Sequence, residues 1–149
     1  MVTNTDLFCG SIPPRVRVTH INVLPNPAEP SRVMGQVICE LRAERDMVDE
    51  HGNVTVGSIT YLVDMLSTLA LVAQGAQLRK TEDYVAVSQS LQFIFHAPAP
   101  LGSTIRLDNT CVALAGRTLT ARCEVWDVDA NRLICSAFHV KMPPSKPKL

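Results

Sequence analysis

The chain has 149 residues, 46% of them hydrophobic, so it is long and apolar enough to form one packed domain and is unlike a disordered chain. Its 14 basic and 14 acidic side chains give a formal net charge of zero, which offers no electrostatic reason to expect a nucleic-acid partner. A membrane span is not predicted, because Asp64 interrupts the only apolar run that approaches the required length of about 18 residues.

The first third of the chain predicts an arm and two strands. Residues 1–15 are expected to form a loosely ordered arm, and residues 15–24 alternate between polar and apolar side chains as a short strand does. Residues 25–30 contain three prolines and predict a loop, because proline lacks a backbone donor. Residues 32–42 alternate cleanly, which indicates a strand with one buried face.

A long apolar helix is predicted over residues 56–73, with its end near Gln74 and Gly75. Its apolar side chains fall on most sides of a helical wheel, which is typical of a buried helix. Asp64 nevertheless lies in the middle. The hydroxyl side chains three or four residues away share its face and form a narrow polar stripe: Thr60, Tyr61, Ser67 and Thr68.

Two interpretations of Asp64 follow from this pattern. Burying a carboxylate without a partner costs free energy, so a buried aspartate implies a hydrogen-bond network, an ion pair or a reaction. In the structural interpretation, nearby hydroxyl groups cap Asp64 at a subunit contact. In the functional interpretation, Asp64 is a general base or a nucleophile.

The start of the helix adds a second feature. Gly52 and Asn53 form a turn signal, and the helix begins near Gly57. Free backbone N–H groups at a helix N-terminus bind anions and polarised carbonyl oxygens. The stretch therefore predicts an oxygen-binding end and, two turns further on, a carboxylate.

After the helix and a charged loop at residues 76–83, the chain predicts four strands joined as an antiparallel meander. They cover residues 84–95, 103–114, 117–127 and 132–142. The expected fold class is α+β, with about six antiparallel strands wrapped around one helix and edge strands paired across a dimer. Residues 1–31 form the arm and first strand, 32–142 the main domain, and 143–149 a Pro/Lys tail.

Cysteine and histidine give no sign of a metal site. The five cysteines include no CxxC pair, and the four histidines show no ligand spacing, so buried, reduced thiols are expected. The N-terminus lacks the pattern of a secretion signal, and an intracellular location, cytoplasmic or mitochondrial, is expected. The final Pro-Lys-Leu is a loose variant of a peroxisomal address.

Over residues 35–141 the sequence resembles the hotdog fold, and more narrowly the phenylacetate-pathway (PaaI-like) acyl-CoA thioesterases of the thioesterase superfamily. The loop pattern Asn-x-x-Gly-x-x-His-Gly-Gly of that family corresponds to Asp49-x-x-Gly52-x-x-Thr55-Val56-Gly57, followed by Leu62-Val63-Asp64. Its Pro-Ala-x-x-Gly turn and its hairpin correspond to Pro98-Ala99-Pro100-Leu101-Gly102 and Gly116-Arg117.

The resemblance implies a role for each site residue. Asp64 acts as nucleophile or general base, the amide of Val56 or Gly57 holds the thioester carbonyl, and Ser88 helps to place water. Asp49 stands at the position of the family asparagine. Coenzyme A, which is part of the substrate and not a separate cofactor, would lie in a groove at a dimer interface, near residues matched here by His96, Pro98, Ala115, Gly116 and Arg117.

Three positions depart from the family pattern, and they leave three functions open. Asp49 replaces asparagine and removes a side-chain donor, while Thr55 and Val56 replace histidine and glycine. The first function is hydrolysis of a fatty or aryl acyl-CoA by a homodimer or a dimer of dimers. The second is binding of acyl-CoA or an acyl carrier without hydrolysis, or a changed chemistry on the hotdog scaffold. The third is a purely structural hotdog dimer with no affinity for acyl-CoA. A dehydratase is disfavoured, because His51 is not placed with a carboxylate.

Overall fold

The computed structural model describes residues 8–78, 86–115 and 117–142. Within them, short 3-10 helices occupy Pro13–Arg15 and Arg45–Met47. The longer elements, in chain order, are β1 (Arg17–Asn26), β2 (Glu29–Arg42), α1 (Val56–Leu66), α2 (Thr68–Gln77), β3 (Val87–Phe95), β4 (Thr104–Ala115), β5 (Thr118–Asp127) and β6 (Arg132–Met142).

The strands form one antiparallel sheet of six strands in the order β1-β2-β4-β5-β6-β3. The predicted α+β class is thereby confirmed. The predicted four-strand meander is wrong in one respect, because β3 pairs with β6 at the far edge and not with β4. The connection from β3 to β4 crosses one end of the sheet, where the N–H of Leu101 donates to the carbonyl of Gly52 over 2.8 Å.

The proline-rich stretch at residues 25–30 is a tight turn and not a loop. β1 continues to Asn26 and β2 begins at Glu29, with Pro25 paired to Val33. The Asn26 side chain accepts the N–H of Ala28 and closes the turn. Strand pairing survives the proline because β1 is an edge strand, whose outer N–H positions need no partner.

The central helix is interrupted at Ser67 and runs on to Gln77, which is two to three residues beyond the end predicted near Gln74 and Gly75. Gly75 is buried within α2, where the helix packs against the sheet. Val56–Gln77 is long and apolar enough to cross a membrane by length and composition alone, a property that the core helix of a soluble protein shares. Here its inner face lies in the core, against residues such as Leu107 and Val125.

Helix α2 approaches the sheet most closely at Gly35. A Cβ atom at this position would lie 2.5 Å from the carbonyl oxygen of Ala70 and 2.9 Å from the backbone nitrogen of Gln74. The Gly35 N–H also donates to Oε1 of Gln74 over 2.9 Å. Backbone atoms of a helix cannot move aside as a flexible side chain can, so this contact requires glycine.

We expect Gly35→Ala to lower the free energy of unfolding by about 1–3 kcal/mol or more, because the added methyl forces α2 away from β2. Urea denaturation measures the change. Gly57→Ala is the matched control, since a Cβ there would meet nothing closer than Thr55 Oγ1 at 3.8 Å. Equal stability of the two variants would contradict the importance of this close approach.

The prediction of a loosely ordered arm is wrong for residues 8–15. Ile12 is fully buried, and the Arg15 guanidinium binds Asp46 through two N–H···O contacts of 2.8 and 2.9 Å. Partial desolvation tends to raise the pKa of Asp46, but the Ser11 hydroxyl and Arg15 outweigh it and the pKa is lowered. The arm is thus fastened to the segment that leads into α1.

Four of the five cysteines, Cys39, Cys111, Cys123 and Cys135, are buried as free thiols on the inner face of the sheet. Burial raises the pKa of Cys39 and that of Cys111 to about 11. The remaining thiol, Cys9, is partly accessible in the arm. This arrangement agrees with the expectation of buried, reduced thiols.

Candidate functional site

Asp64 lies in the middle of α1, but its side chain is 50% exposed, so the predicted burial is wrong for the single chain. Thr60, Asp64 and Thr68 follow each other at intervals of four residues and share one face. That face runs beside edge strand β3 and is only partly covered, whereas the apolar face of the helix packs in the core.

Asp64 ends a chain of hydrogen bonds that reaches into the core. The Ser88 hydroxyl donates to Asp64 Oδ1 over 2.9 Å. Ser88 Oγ lies 2.8 Å from Nε2 of His139, whose Nδ1 lies 2.7 Å from Oγ of Ser67. His139 has no exposed side-chain surface.

The donor and acceptor capacities set the direction of this chain. A carboxylate can only accept, so the Ser88 proton points to Asp64 and Ser88 Oγ accepts from Nε2–H of His139. Nδ1 of His139 is then free to accept from Ser67. Burial lowers the pKa of His139, the charge of Lys141 lowers it further and Asp64 opposes both, so the ring is neutral near pH 7.

The N-terminus of α1 offers two backbone donors. Thr55 caps the helix by accepting the N–H of Ser58 over 3.1 Å, and Ser58 Oγ donates to the carbonyl of Met47. The amides of Val56 and Gly57 have no hydrogen-bond partner among the described residues. Two unpaired N–H groups at the positive end of a helix can bind a carbonyl oxygen or an oxyanion.

Asp49 stabilises the loop before α1. Its Oδ1 accepts the N–H of His51 over 2.9 Å and that of Asn53 over 3.0 Å. Gly52, between them, has φ of 76°, a conformation that favours glycine. Asp49 therefore fixes the shape of the turn and supplies no donor of its own.

A groove of about 510 Å³ adjoins this helix terminus. One wall is the loop before α1 and the other is the connection from β3 to β4. Its lining includes four of the residues to which the resemblance assigns a place in the site, namely Asp49, Val56, His96 and Pro98. His96 is held in place by a 3.0 Å contact between Nε2 and Oγ of Ser136.

The amides and the carboxylate are far apart within one chain. Asp64 follows Gly57 by seven residues on a continuous helix, which places them about 10 Å apart along the axis at 1.5 Å per residue. A carbonyl group in hydrogen-bond contact with the Gly57 amide is thus out of reach of the Asp64 of the same chain.

The hairpin predicted to bind coenzyme A lies at the other end of the sheet from the groove. β4 begins at Thr104 beside the groove and ends at Ala115, and Arg117 is exposed just beyond it. Leu119, close to the hairpin, pairs with Lys141, and Lys141 pairs with Ser88. Because Ser88 binds Asp64, the hairpin lies at the same end of the sheet as Asp64. Gly116 lies outside the described residues.

Two polar residues behind Asp64 were not identified from the sequence: His139 and Lys141. The sequence signal for these residues is in β6, where every second side chain faces inward: Cys135, Ala137, His139 and Lys141. Two polar side chains on the buried face of a strand suggest a function, but this face could be assigned only once the strand register was known. Among the described residues, no cluster of three or more His, Cys, Asp or Glu side chains could hold a metal ion.

Comparisons with known proteins agree with this architecture. The family model of the thioesterase superfamily matches residues 51–134. Thioesterase superfamily member 2 from zebrafish is 21% identical, with a TM-score of 0.69, and the match covers 86% of this chain and 80% of that one. A comparison with curated proteins found no match.

Two bacterial structures are similar as well. A hypothetical thioesterase from Streptococcus pneumoniae, solved with coenzyme A, is 14% identical, with a TM-score of 0.68 and coverage of 89% and 88%. A mutant of the phenylacetic acid degradation protein PaaI from Thermus thermophilus is 20% identical, with a TM-score of 0.61 and coverage of 87% and 93%. At these identities the likeness establishes the hotdog fold, as the sequence resemblance predicted. Because the family model spans more than half of its residues, the chain belongs to the thioesterase superfamily.

Proposed function

We propose that this protein hydrolyses acyl-CoA thioesters at a site shared by two copies of the chain. The observation that carries the proposal is the exposed Asp64 carboxylate, held by Ser88 at the end of an ordered hydrogen-bond chain. The two unpaired amides at the N-terminus of α1 in the other copy would complete the site. Family membership supports the same chemistry.

The two groups would act on opposite parts of the thioester. The Val56 or Gly57 amide binds the carbonyl oxygen and stabilises the negative charge that develops on it. Asp64 takes a proton from a water molecule that Ser88 orients, and the water oxygen adds to the carbonyl carbon. The C–S bond then breaks, and the CoA sulfur leaves as a thiolate that takes up a proton. Direct attack by Asp64, through an anhydride, is the nucleophilic variant.

Edge strand β3 supports assembly from two copies. Both of its faces are largely exposed, including Val87 at 61%, Ile94 at 65% and Phe95 at 42%. An exposed apolar edge strand favours pairing with another strand, and in a twofold dimer it would pair with its own copy. This pairing would cover the unpaired edge of the sheet.

The same pairing would complete the site. In a twofold antiparallel pair, the start of one strand lies opposite the end of the other. Ser88 is at the start of β3, and His96 follows its end and lines the groove. Ser88 and Asp64 of one copy would therefore face the groove of the other. Arg117 of the first copy would lie on the same side, where it can meet a CoA phosphate.

Binding without hydrolysis is the second candidate. The observation in its favour is the loop before α1, in which the Asp49 carboxylate is occupied with the turn and the Val56 side chain is 59% exposed at the groove. Asp49, at the position of the family asparagine, thus offers no hydrogen-bond donor to the substrate. The Val56 side chain narrows the path by which a substrate reaches the amides.

Steady-state thiol release by the purified protein across a panel of short-chain, long-chain and aryl acyl-CoAs tests the proposal. Release of CoA from at least one of them, with saturation kinetics, is the expected result. No release from any substrate, together with calorimetric binding of a non-hydrolysable acyl-CoA thioether, would favour the binding function. Sedimentation equilibrium of the same sample tests the dimer.

A further inference from the structure

Lys141 is a buried cation beside the candidate site. Its side chain projects from β6 to the inner face of the sheet, and the residue is only 8% exposed. Nζ donates to Oγ1 of Thr68 over 3.1 Å. Among the residues described, no carboxylate lies within 4.0 Å of this ammonium group. Burying a charge is costly, and the described part of the chain supplies no counter-ion for this one, so its presence calls for a reason.

The position of Lys141 suggests the reason. It lies two residues beyond His139 on the same face of β6, a separation of about 7 Å along a strand. Thr68, which accepts from Lys141, follows directly after Ser67, which binds His139. The interruption between α1 and α2 is thus tied to β6 by two neighbouring contacts.

We propose that the buried ammonium of Lys141 is a positioning group that keeps His139 neutral, and so fixes the direction of the hydrogen bonds from Ser67 through His139 and Ser88 to Asp64. The role of this direction in catalysis rests on the proposed hydrolysis, but the charge state of His139 does not. Lys141 itself does not contact the substrate in this scheme.

The charges around His139 make its protonation state sensitive to Lys141. Asp64 faces the ring from α1, with Oδ1 3.5 Å from Nε2, and favours the protonated form. Lys141 opposes it from the same strand as His139. β3 contributes the uncharged Ser88, and β5 contributes the uncharged Ala121, which pairs with His139. The thiols Cys111 and Cys123 pair with Ala121 and Ala137, and they are kept neutral because burial raises their pKa.

Protonation of His139 would alter the site in two ways. Nδ1 would carry a hydrogen and could no longer accept from Ser67. The imidazolium would also form an ion pair with Asp64, and a carboxylate held by an adjacent cation is a weaker base. Loss of the Lys141 charge should therefore weaken the site at mildly acidic pH, even where the fold is intact.

NMR titration of labelled histidine in Lys141→Met tests the proposal directly, with the His139 signal assigned by its loss in His139→Gln. Removing the like charge of Lys141, two residues along the same face of β6, should raise the pKa of His139 by about one unit. The acid limb of kcat/KM should move to higher pH by the same amount. An unchanged His139 titration would overturn the proposal, and this readout does not depend on turnover.

Three variants separate charge from packing. Thr68→Val removes the hydrogen bond but keeps the ammonium, so the His139 titration should stay at its wild-type position. Lys141→Gln keeps a donor for Thr68 without the charge, and should behave like Lys141→Met, which it replaces if that variant does not fold. Lys141→Arg keeps the charge and should retain the wild-type titration. A shift in Thr68→Val as large as in Lys141→Met would assign the effect to the contact, and overturn the proposal.

Discussion

Asp64→Asn is expected to lower kcat for thioester hydrolysis by a factor of about 10²–10⁴, the usual contribution of a general base. An amide can neither take a proton from water nor attack the carbonyl carbon. Its oxygen can still accept the hydrogen bond that Ser88 now donates to Asp64. The local structure should therefore persist, and the loss should fall on kcat while the affinity for acyl-CoA stays near its wild-type value.

The measurement is thiol release at saturating substrate, with calorimetric affinity for a non-hydrolysable analogue recorded beside it. Glu29→Gln is the matched control: it makes the same carboxylate-to-amide change on the β1–β2 hairpin, where Glu29 contacts Arg32. It should leave turnover unchanged. Wild-type kcat in Asp64→Asn would show that the carboxylate is not the reacting group, and would restore the structural interpretation of this residue.

Mixing two inactive variants is expected to recover about a quarter of wild-type activity, because the amides and Asp64 of one site would come from different copies. Val56→Pro and Gly57→Pro each remove one of the two unpaired amides in the first turn of α1, where the lost N–H makes no hydrogen bond within the helix. Losing the amide that binds the oxyanion should cost about 10²–10³ in kcat. The variant that shows this loss is then combined with Asp64→Asn.

The recovered fraction follows from the pairing statistics. In an equal mixture that has been unfolded and refolded together, about half of the dimers contain one chain of each kind, and each mixed dimer has one fully intact site. Each variant refolded alone supplies the baseline. If the amides and Asp64 of one chain served the same site, no mixed dimer would contain an intact site, and the mixture would stay at the baseline.

The parts of the fold that depend on local pattern could be predicted from the sequence. The alternation in β2 and the apolar run in α1 are set by neighbouring side chains, and the turn at Gly52 by a backbone conformation that glycine favours. The position of β3 could not be predicted in the same way. Its pairing with β6 depends on where the connection to β4 crosses the sheet, which neighbouring residues do not encode.

The candidate site likewise combines features that the local sequence determines with features that only the tertiary fold determines. Asp64 could be identified because a carboxylate among apolar helical residues is evident from its neighbours in the sequence. Its exposure could not, because a helical wheel shows which residues share a face but not whether another chain covers that face. His139 is separated from Asp64 by more than half of the chain, and only the pairing of β6 with β3 and the packing of α1 bring them to 3.5 Å.

The buried cysteines have a consequence for a protein whose proposed product is a thiol. Thiol–disulfide exchange requires a thiolate, and groups such as Cys39 and Cys111, with a pKa of about 11, are almost fully protonated at neutral pH. Oxidised coenzyme A should therefore react little with the buried thiols, and mixed disulfides should form only at Cys9. A disulfide reagent added to follow product release should, for the same reason, consume about one equivalent of protein thiol before it reports turnover.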